Sequence, residues 1–100
     1  MMMIVTFADQ GTEDLFNGVN SIVARRTCPD KLRDVARRRL ELLDSITFLD
    51  ELRIPPGNRL EALHGNRKGQ HSIRINEKYR ICFRWTVEGP FGVEIVDYHQ

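Results

Sequence analysis

The sequence predicts an α+β fold, two N-terminal helices packed on one face of a small antiparallel sheet. Three observations predict it. Leu32, Val35, Ala36, Leu40, Leu43 and Ile46 recur at helical spacing and form one apolar stripe over residues 29–46. Residues 71–75 and 79–87 instead alternate apolar and polar at period two, and a last strand-like run covers 93–98. Between the halves lies Ile54-Pro55-Pro56-Gly57-Asn58, whose two prolines remove backbone donors and exclude helix interior and central strand.

The elements follow in order. Residues 3–7 are a short apolar run ending in the turn-like Ala8-Asp9-Gln10-Gly11, which reads as a first strand. Thr12 then caps a short helix with Glu13 and Asp14 in its first turn, where acids favour the positive helix end. That helix ends near Asn17-Gly18, with a resumption through residues 19–24 open. Thr27 caps the second helix, Pro29 fits its first turn, and Asp30 completes a short capping box. Arg33, Arg37, Arg38 and Arg39 lie largely off its apolar stripe; a solvated face and a partner-binding surface both fit them. After the proline loop, residues 60–63 read as a strand and 64–70, with two glycines, as a loop. Glu88-Gly89-Pro90 turns the chain into the last strand.

One hundred residues, 41% of them hydrophobic, suffice for one core, so one domain over residues 1–100 is expected. No apolar stretch approaches the roughly 18–20 residues of a membrane span. Residues 1–7 are too short for a secretory leader, so the expected location is the cytoplasm, with no membrane partner. Cys28 and Cys82 are too few and too isolated for a disulfide framework or a cysteine zinc site. The net charge of +1 hides an uneven distribution. Residues 59–84 carry Arg59, Arg67, Lys68, Arg74, Lys78, Arg80 and Arg84 against Glu61 and Glu77, and no lysine or arginine follows. Such a block suits an anionic partner such as nucleic acid, and it equally suits a solvated sheet face.

Strand parity locates these charges. Residues directly opposite in an antiparallel pair share a face. A three-residue turn, Asn76-Glu77-Lys78, sets Ile75 on Tyr79, Ile73 on Ile81 and Arg74 on Arg80, and only that parity yields a clean apolar face. The cost is two arginines face to face, roughly a few tenths of a kcal/mol where solvated. The pairing makes sense if an anion sits between them. Val93 and Ile95 must join Phe83 and Trp85, which puts Tyr98 with Arg74, Arg80 and Cys82, and points Asp97 and His99 the other way.

Guanidinium groups bind phosphate bidentately, lysine adds a point charge, and tyrosine can stack on a base or exchange a proton. His64, His71 and His99 are scattered, with no spacing that joins them on one helix face, so no metal site and no cofactor are expected. No glycine-rich phosphate loop and no nucleophile elbow are present. A cationic face with Tyr and His suffices for metal-free RNA cleavage, in which a 2′-OH attacks its own phosphate and arginines stabilise the phosphorane. It equally suits phosphate binding without chemistry.

Several segments together resemble a known family. Pro55-Pro56-Gly57-Asn58-Arg59-Leu60-Glu61-Ala62-Leu63, Ser72-Ile73-Arg74-Ile75-Asn76, Tyr79-Arg80-Ile81-Cys82-Phe83 and the terminal Asp97-Tyr98-His99 resemble the HigB-type, or plasmid maintenance killer, toxins of the RelE/ParE superfamily. The likeness is strong over residues 40–99 and rests on element order before that. It implies a RelE-like toxin of a type II toxin–antitoxin pair, a ribosome-dependent, metal-independent mRNA endoribonuclease that inhibits translation. It further implies three partners: a helix-turn-helix antitoxin of the HigA kind, the ribosome with its mRNA, and operator DNA through the antitoxin complex alone. Carried over by position, Arg80 is the phosphate-stabilising arginine, and Asp97, Tyr98 and His99 are the C-terminal catalytic segment. Arg67 and Lys68 are the basic loop that meets RNA, joined by Arg74, Lys78 and Arg84. His64 stands where the family often has lysine, and Glu61 where some members have a histidine; an imidazole at position 64 can exchange protons near neutrality.

Two other readings share the fold. One is a ParE-like toxin that poisons DNA gyrase by protein contact, which would not need Arg80 with Asp97-Tyr98-His99. The other is a binding module whose partner is the antitoxin-like protein alone.

Overall fold

The computed structural model describes residues 2–97. Helices α1 (Gln10–Phe16), α2 (Ile22–Thr27) and α3 (Arg33–Ser45) precede strands β1 (Glu61–Ala62), β2 (His71–Arg74), β3 (Tyr79–Thr86) and β4 (Gly89–Asp97). The strands form one antiparallel sheet in the order β1-β2-β3-β4. Leu15, Ala24, Ala36, Leu40, Leu43 and Ile46 from the helical half join Ile73, Ile81, Phe83, Val93 and Ile95 from the sheet in one core. The α+β class is therefore as expected, with helices on one sheet face.

The helical half departs from expectation in detail. Among the described residues it has three α-helices, because residues 22–27 form a separate helix with its own cap, Ser21 Oγ accepting from the Ala24 N–H. Asp9, rather than Thr12, caps α1, its carboxylate accepting from the Thr12 N–H at 2.7 Å. Thr12 is fully buried, and a buried hydroxyl must find a partner inside the fold. Thr27 is the last residue of α2 and donates its hydroxyl to the Val23 carbonyl, so it caps nothing downstream. Pro29 precedes a short 310 turn at Asp30–Leu32, and α3 begins only at Arg33. Its Ala36, Leu40 and Leu43 are buried, while Leu32 and Val35 pack partly buried at the margin.

Residues 3–7 do not form a named strand. Phe7 makes a single parallel bridge to Val93, with the Ala8 N–H on the Val93 carbonyl and the Val93 N–H on the Thr6 carbonyl. The Ile4 N–H goes instead to Asp44 at the end of α3, which ties the segment to the helices as well as to β4. The β3–β4 register slips between Cys82 and Arg84, and Gly92 there adopts φ +64. A glycine with left-handed φ is what a bulge needs, and the bulge turns the Val93 backbone toward the N-terminal segment.

The hairpin register agrees with the parity argument. Arg74 faces Arg80, Ile73 faces Ile81, and the Ile75 N–H reaches the Tyr79 carbonyl at 2.9 Å. Asn76 Oδ1 accepts from the backbone N–H groups of Lys78 and Tyr79, which closes the three-residue turn.

Candidate functional site

Alternation leaves one face of the sheet without helices. Straight across it runs the row Glu61, Ser72, Cys82 and Glu94, one residue from each strand. In the next row Arg74 and Arg80 stand opposite each other, followed by Val96. Ser72 and Cys82 are fully buried and form the floor. Burial pushes the Cys82 thiol above its ordinary pKa, so it stays protonated and unreactive at neutral pH.

Arg80 lies along this floor with its side chain only 16% exposed. Its Nη1 is 2.6 Å from Glu61 Oε1 and donates to Ser72 Oγ at 3.2 Å and to the Arg59 carbonyl at 3.5 Å. The like-charge cost against Arg74 is thus offset by an acid from the neighbouring strand. Arg74 is half-buried, and its carbonyl accepts from Arg39 Nε of α3. A guanidinium fixed by several acceptors has little rotamer entropy left to lose when an anion arrives.

The second basic group surrounds the loop after β1. A 310 turn at Gly65–Arg67 begins from His64, and Gly65 and Gly69 take positive φ. Arg67 Nη1 is bound to Glu94 Oε1 at 2.8 Å and to Gln70 Oε1 at 3.0 Å, which straps the loop to β4. Arg84 approaches the same loop: a Cβ on Gly69 would come within 2.7 Å of its Nη1. Lys68 and Arg84 are exposed. The loop therefore brings Arg67, Lys68 and Arg84 together at one end of the face that holds Arg74 and Arg80.

Other expected site residues lie elsewhere. Asp97 pairs with Tyr79 across β3–β4, on the parity opposite to Arg80, and its carboxylate is 3.7 Å from Lys78 Nζ. Lys78 occupies the β2–β3 turn, with its ammonium 5.7 Å from the Tyr79 ring centroid. His64 is exposed at the loop's start. Tyr98 and His99 lie outside the described residues. His71 is on the helix-side face, stacked on Phe83 with ring centroids 6.3 Å apart. Desolvation first, then Arg53, depresses its pKa.

Two members of the face were not singled out from sequence. Ser72 reads from sequence as a strand residue without a nucleophile elbow, and Glu61 as an acid within the basic block that stands where some family members have a histidine; neither is assigned a role at the site. The signal for both was pairing: once β1 joins β2, Glu61 and Ser72 must share the Cys82 face. The helix arginines also have intramolecular duties. Arg33 binds Asn20 and Asp30, and Arg37 Nε donates to the Phe16 carbonyl, so they tie the α1–α2 connection to α3.

Among the described residues no group of three or more His, Cys, Asp or Glu stands together in a way that could hold a metal ion. No helix among them is long and apolar enough to cross a membrane. The arrangement can receive a phosphodiester on Arg74 and Arg80 and guide the adjoining strand toward Arg67, Lys68 and Arg84.

Comparison with known proteins identifies the family. Residues 5–99 match the family model described as RelE-like toxin of type II toxin-antitoxin system HigB. The chain is 40% identical over 84 residues to Toxin HigB-1 of Vibrio cholerae, covering 84% of this chain and 85% of the relative. It is 32% identical over 102 residues to Endoribonuclease HigB of Proteus vulgaris, covering 97% of this chain and the whole relative.

Proposed function

Because the chain belongs to the HigB family of RelE-like toxins of type II toxin–antitoxin systems, we propose that it is an endoribonuclease that cuts mRNA on the translating ribosome and so inhibits translation. As the toxin of such a pair it has an antitoxin partner. The proposal extends to a helix-turn-helix antitoxin whose complex with the toxin binds operator DNA, and to a cytoplasmic site of action.

The observation that carries the reading is Arg80, held at the floor of a cationic sheet face opposite Arg74. A relative of nearly the same length bears the name endoribonuclease, which supports the chemistry. In this mechanism Arg80, with Arg74 beside it, receives the scissile phosphate. The neighbouring 2′-OH attacks in line, the O2′–P bond forms and the P–O5′ bond breaks. Charge grows on the phosphorane oxygens, where a fixed guanidinium stabilises the transition state more than the ground state. Asp97, Tyr98 and His99 form the C-terminal catalytic segment that exchanges protons, with His64 available at the loop. Arg67, Lys68, Arg74, Lys78 and Arg84 carry the RNA backbone. No metal ion takes part, because the nucleophile is internal to the substrate and the charge stabilisation comes from guanidinium.

The test is purified protein with ribosomes and a defined mRNA, reading the chemistry of the new ends. A 2′,3′-cyclic phosphate with a 5′-OH is expected. A 3′-OH with a 5′-phosphate would exclude attack by the 2′-OH. Intact mRNA with inhibited gyrase supercoiling would favour the gyrase-poison reading.

A further inference from the structure

We propose that Glu94 is a positioning residue of the nuclease: by holding Arg67 it fixes the loop at residues 64–70, so that RNA leaving the Arg74–Arg80 site lies in line for cleavage. The inference rests on the nuclease reading above and deepens it by naming what sets the path of the strand. Glu94 Oε1 is 2.8 Å from Arg67 Nη1, and both side chains are 30% exposed. The pair is better shielded than Arg33–Asp30, Arg53–Asp50 or Lys78–Asp97, whose acids are 75%, 82% and 46% exposed. Salt and solvent therefore screen it less.

The backbone of the loop closes on itself. The Leu63 N–H donates to the Gln70 carbonyl, the Arg67 N–H to the His64 carbonyl and the Gln70 N–H to the Arg67 carbonyl. Gly65 and Gly69 flank its tip with positive φ, and a Cβ on Gly65 would meet nothing within 4 Å. These bonds shape the loop without setting its place over the sheet. The Arg67 side chain sets that place, because Glu94 belongs to the edge strand β4. There Glu94 stands directly across from Cys82, the last regular pair before the register slip. A carboxylate on a strand is a firmer anchor than one on a loop. Arg84 leans on the same loop at Gly69, so a shift of the loop shifts a second cation.

Glu94 lies in the row next to Arg74 and Arg80, and the charges of Arg67, Glu94 and Arg80 all bear on the Cys82 thiol. An unpaired carboxylate in that row repels phosphate. Paired, it turns a long, flexible cation into a fixed one, and the rotamer entropy of Arg67 is lost on folding rather than when RNA arrives. Removing Glu94 thus acts oppositely on binding and on rate. The face gains net positive charge, which strengthens its attraction for RNA. The loosened Arg67 lets the strand settle off line, and in-line attack depends on near-attack geometry.

The experiment uses ribosomes carrying a defined mRNA and compares wild type with Glu94→Ala, Glu94→Gln, Arg67→Ala and the Glu94→Ala, Arg67→Ala double variant. Affinity is read with mRNA bearing a 2′-deoxy nucleotide at the cleavage site, and rate in single turnover at saturating protein. Urea unfolding checks each fold. Glu94→Ala should bind at least as tightly as wild type and cleave more slowly, on the order of 10–10²-fold. Glu94→Gln still offers Arg67 an oxygen and should recover part of the rate. Arg67→Ala should bind more weakly, with a salt dependence shallower by about one counterion. The double variant should cleave no more slowly than Arg67→Ala alone. Should Glu94→Ala unfold early, Glu94→Lys takes its place: its long stem keeps the strand covered, its charge expels Arg67, and the same tight binding and slow cleavage are expected. Glu94→Ala cleavage at the wild-type rate would overturn the proposal. So would weaker binding with an unchanged saturating rate, or a double variant slower than Arg67→Ala by the full Glu94→Ala factor. A wild-type protein that binds ribosomes and leaves the mRNA intact would overturn the nuclease reading itself, and this inference with it.

Discussion

Thr12 Oγ1 accepts a hydrogen bond at 3.0 Å from the backbone N–H of Ile95, 83 positions further along the chain. Both residues are buried, so the bond fastens α1 to the last strand from within. Thr12→Val keeps the shape and leaves a buried N–H without a partner. The expected loss is about 1–3 kcal/mol of stability, measured by urea unfolding, while Thr12→Ser should restore most of it.

Packing at the core should be more sensitive than the exposed face of α2. Leu40 and Phe83 are both fully buried. Leu40→Ala should cost about 2–5 kcal/mol and Phe83→Ala about 3–5 kcal/mol. Ile22 is 60% exposed, and Ile22→Ala should stay within about 0.5 kcal/mol of wild type. Denaturant midpoints at constant slope check all three.

Arg80 should be the least replaceable charge on the sheet. If it stabilises the phosphorane, Arg80→Ala removes about 2.7–4 kcal/mol of transition-state stabilisation. Arg80→Lys should recover only part, since an ammonium lacks the planar fork. Stability should change by no more than about 1 kcal/mol, because its acidic partner is half-exposed and the clash with Arg74 is relieved. Cleavage and ribosome binding measured separately on the two variants check this.

Acid should weaken the fold first through His71. Its folded pKa lies below the ordinary 6.5, so the unfolded chain binds the proton more readily. The stability is present in full above 6.5 and is lost as pH falls through the lower folded value. Asp14 and Glu51 are held below ordinary values of 3.8 and 4.5, so their losses begin at more acid pH. Urea midpoints at about pH 7.5 and 5.5 should differ less for His71→Gln than for wild type.

Alkali should act through the thiols. Burial raises the Cys28 pKa from 9.0 to about 11, and Cys82 moves in the same direction. The folded chain then holds protons that the unfolded chain releases. Stability should fall as pH rises from 9.0 toward about 11, and Cys28→Ala should flatten that fall. In the native protein both thiols should resist an alkylating reagent at pH 8 and react once urea unfolds the chain.

By itself the sequence determined the class of each half, the helical stripe of α3 and the opposition of Arg74 to Arg80. These follow from periodicity and one short turn, so residues near in sequence decide them. The family resemblance was legible for the same reason, being carried by contiguous strand segments. Only the tertiary structure decided what Thr12 does: α1 starts at Gln10 with Asp9 as its cap, which leaves Thr12 inside the first turn with its hydroxyl accepting from the Ile95 N–H. Only the tertiary structure divided the helical region into three, since Ser21 caps a helix whose apolar signal is too short to stand alone. The basic block also changed meaning. Arg67 and Arg80 lie near each other in sequence, but the acids that hold them, Glu94 and Glu61, arrive from strands on opposite edges of the sheet. Pairing across edges depends on sheet order, and no local pattern encodes which acid meets which base.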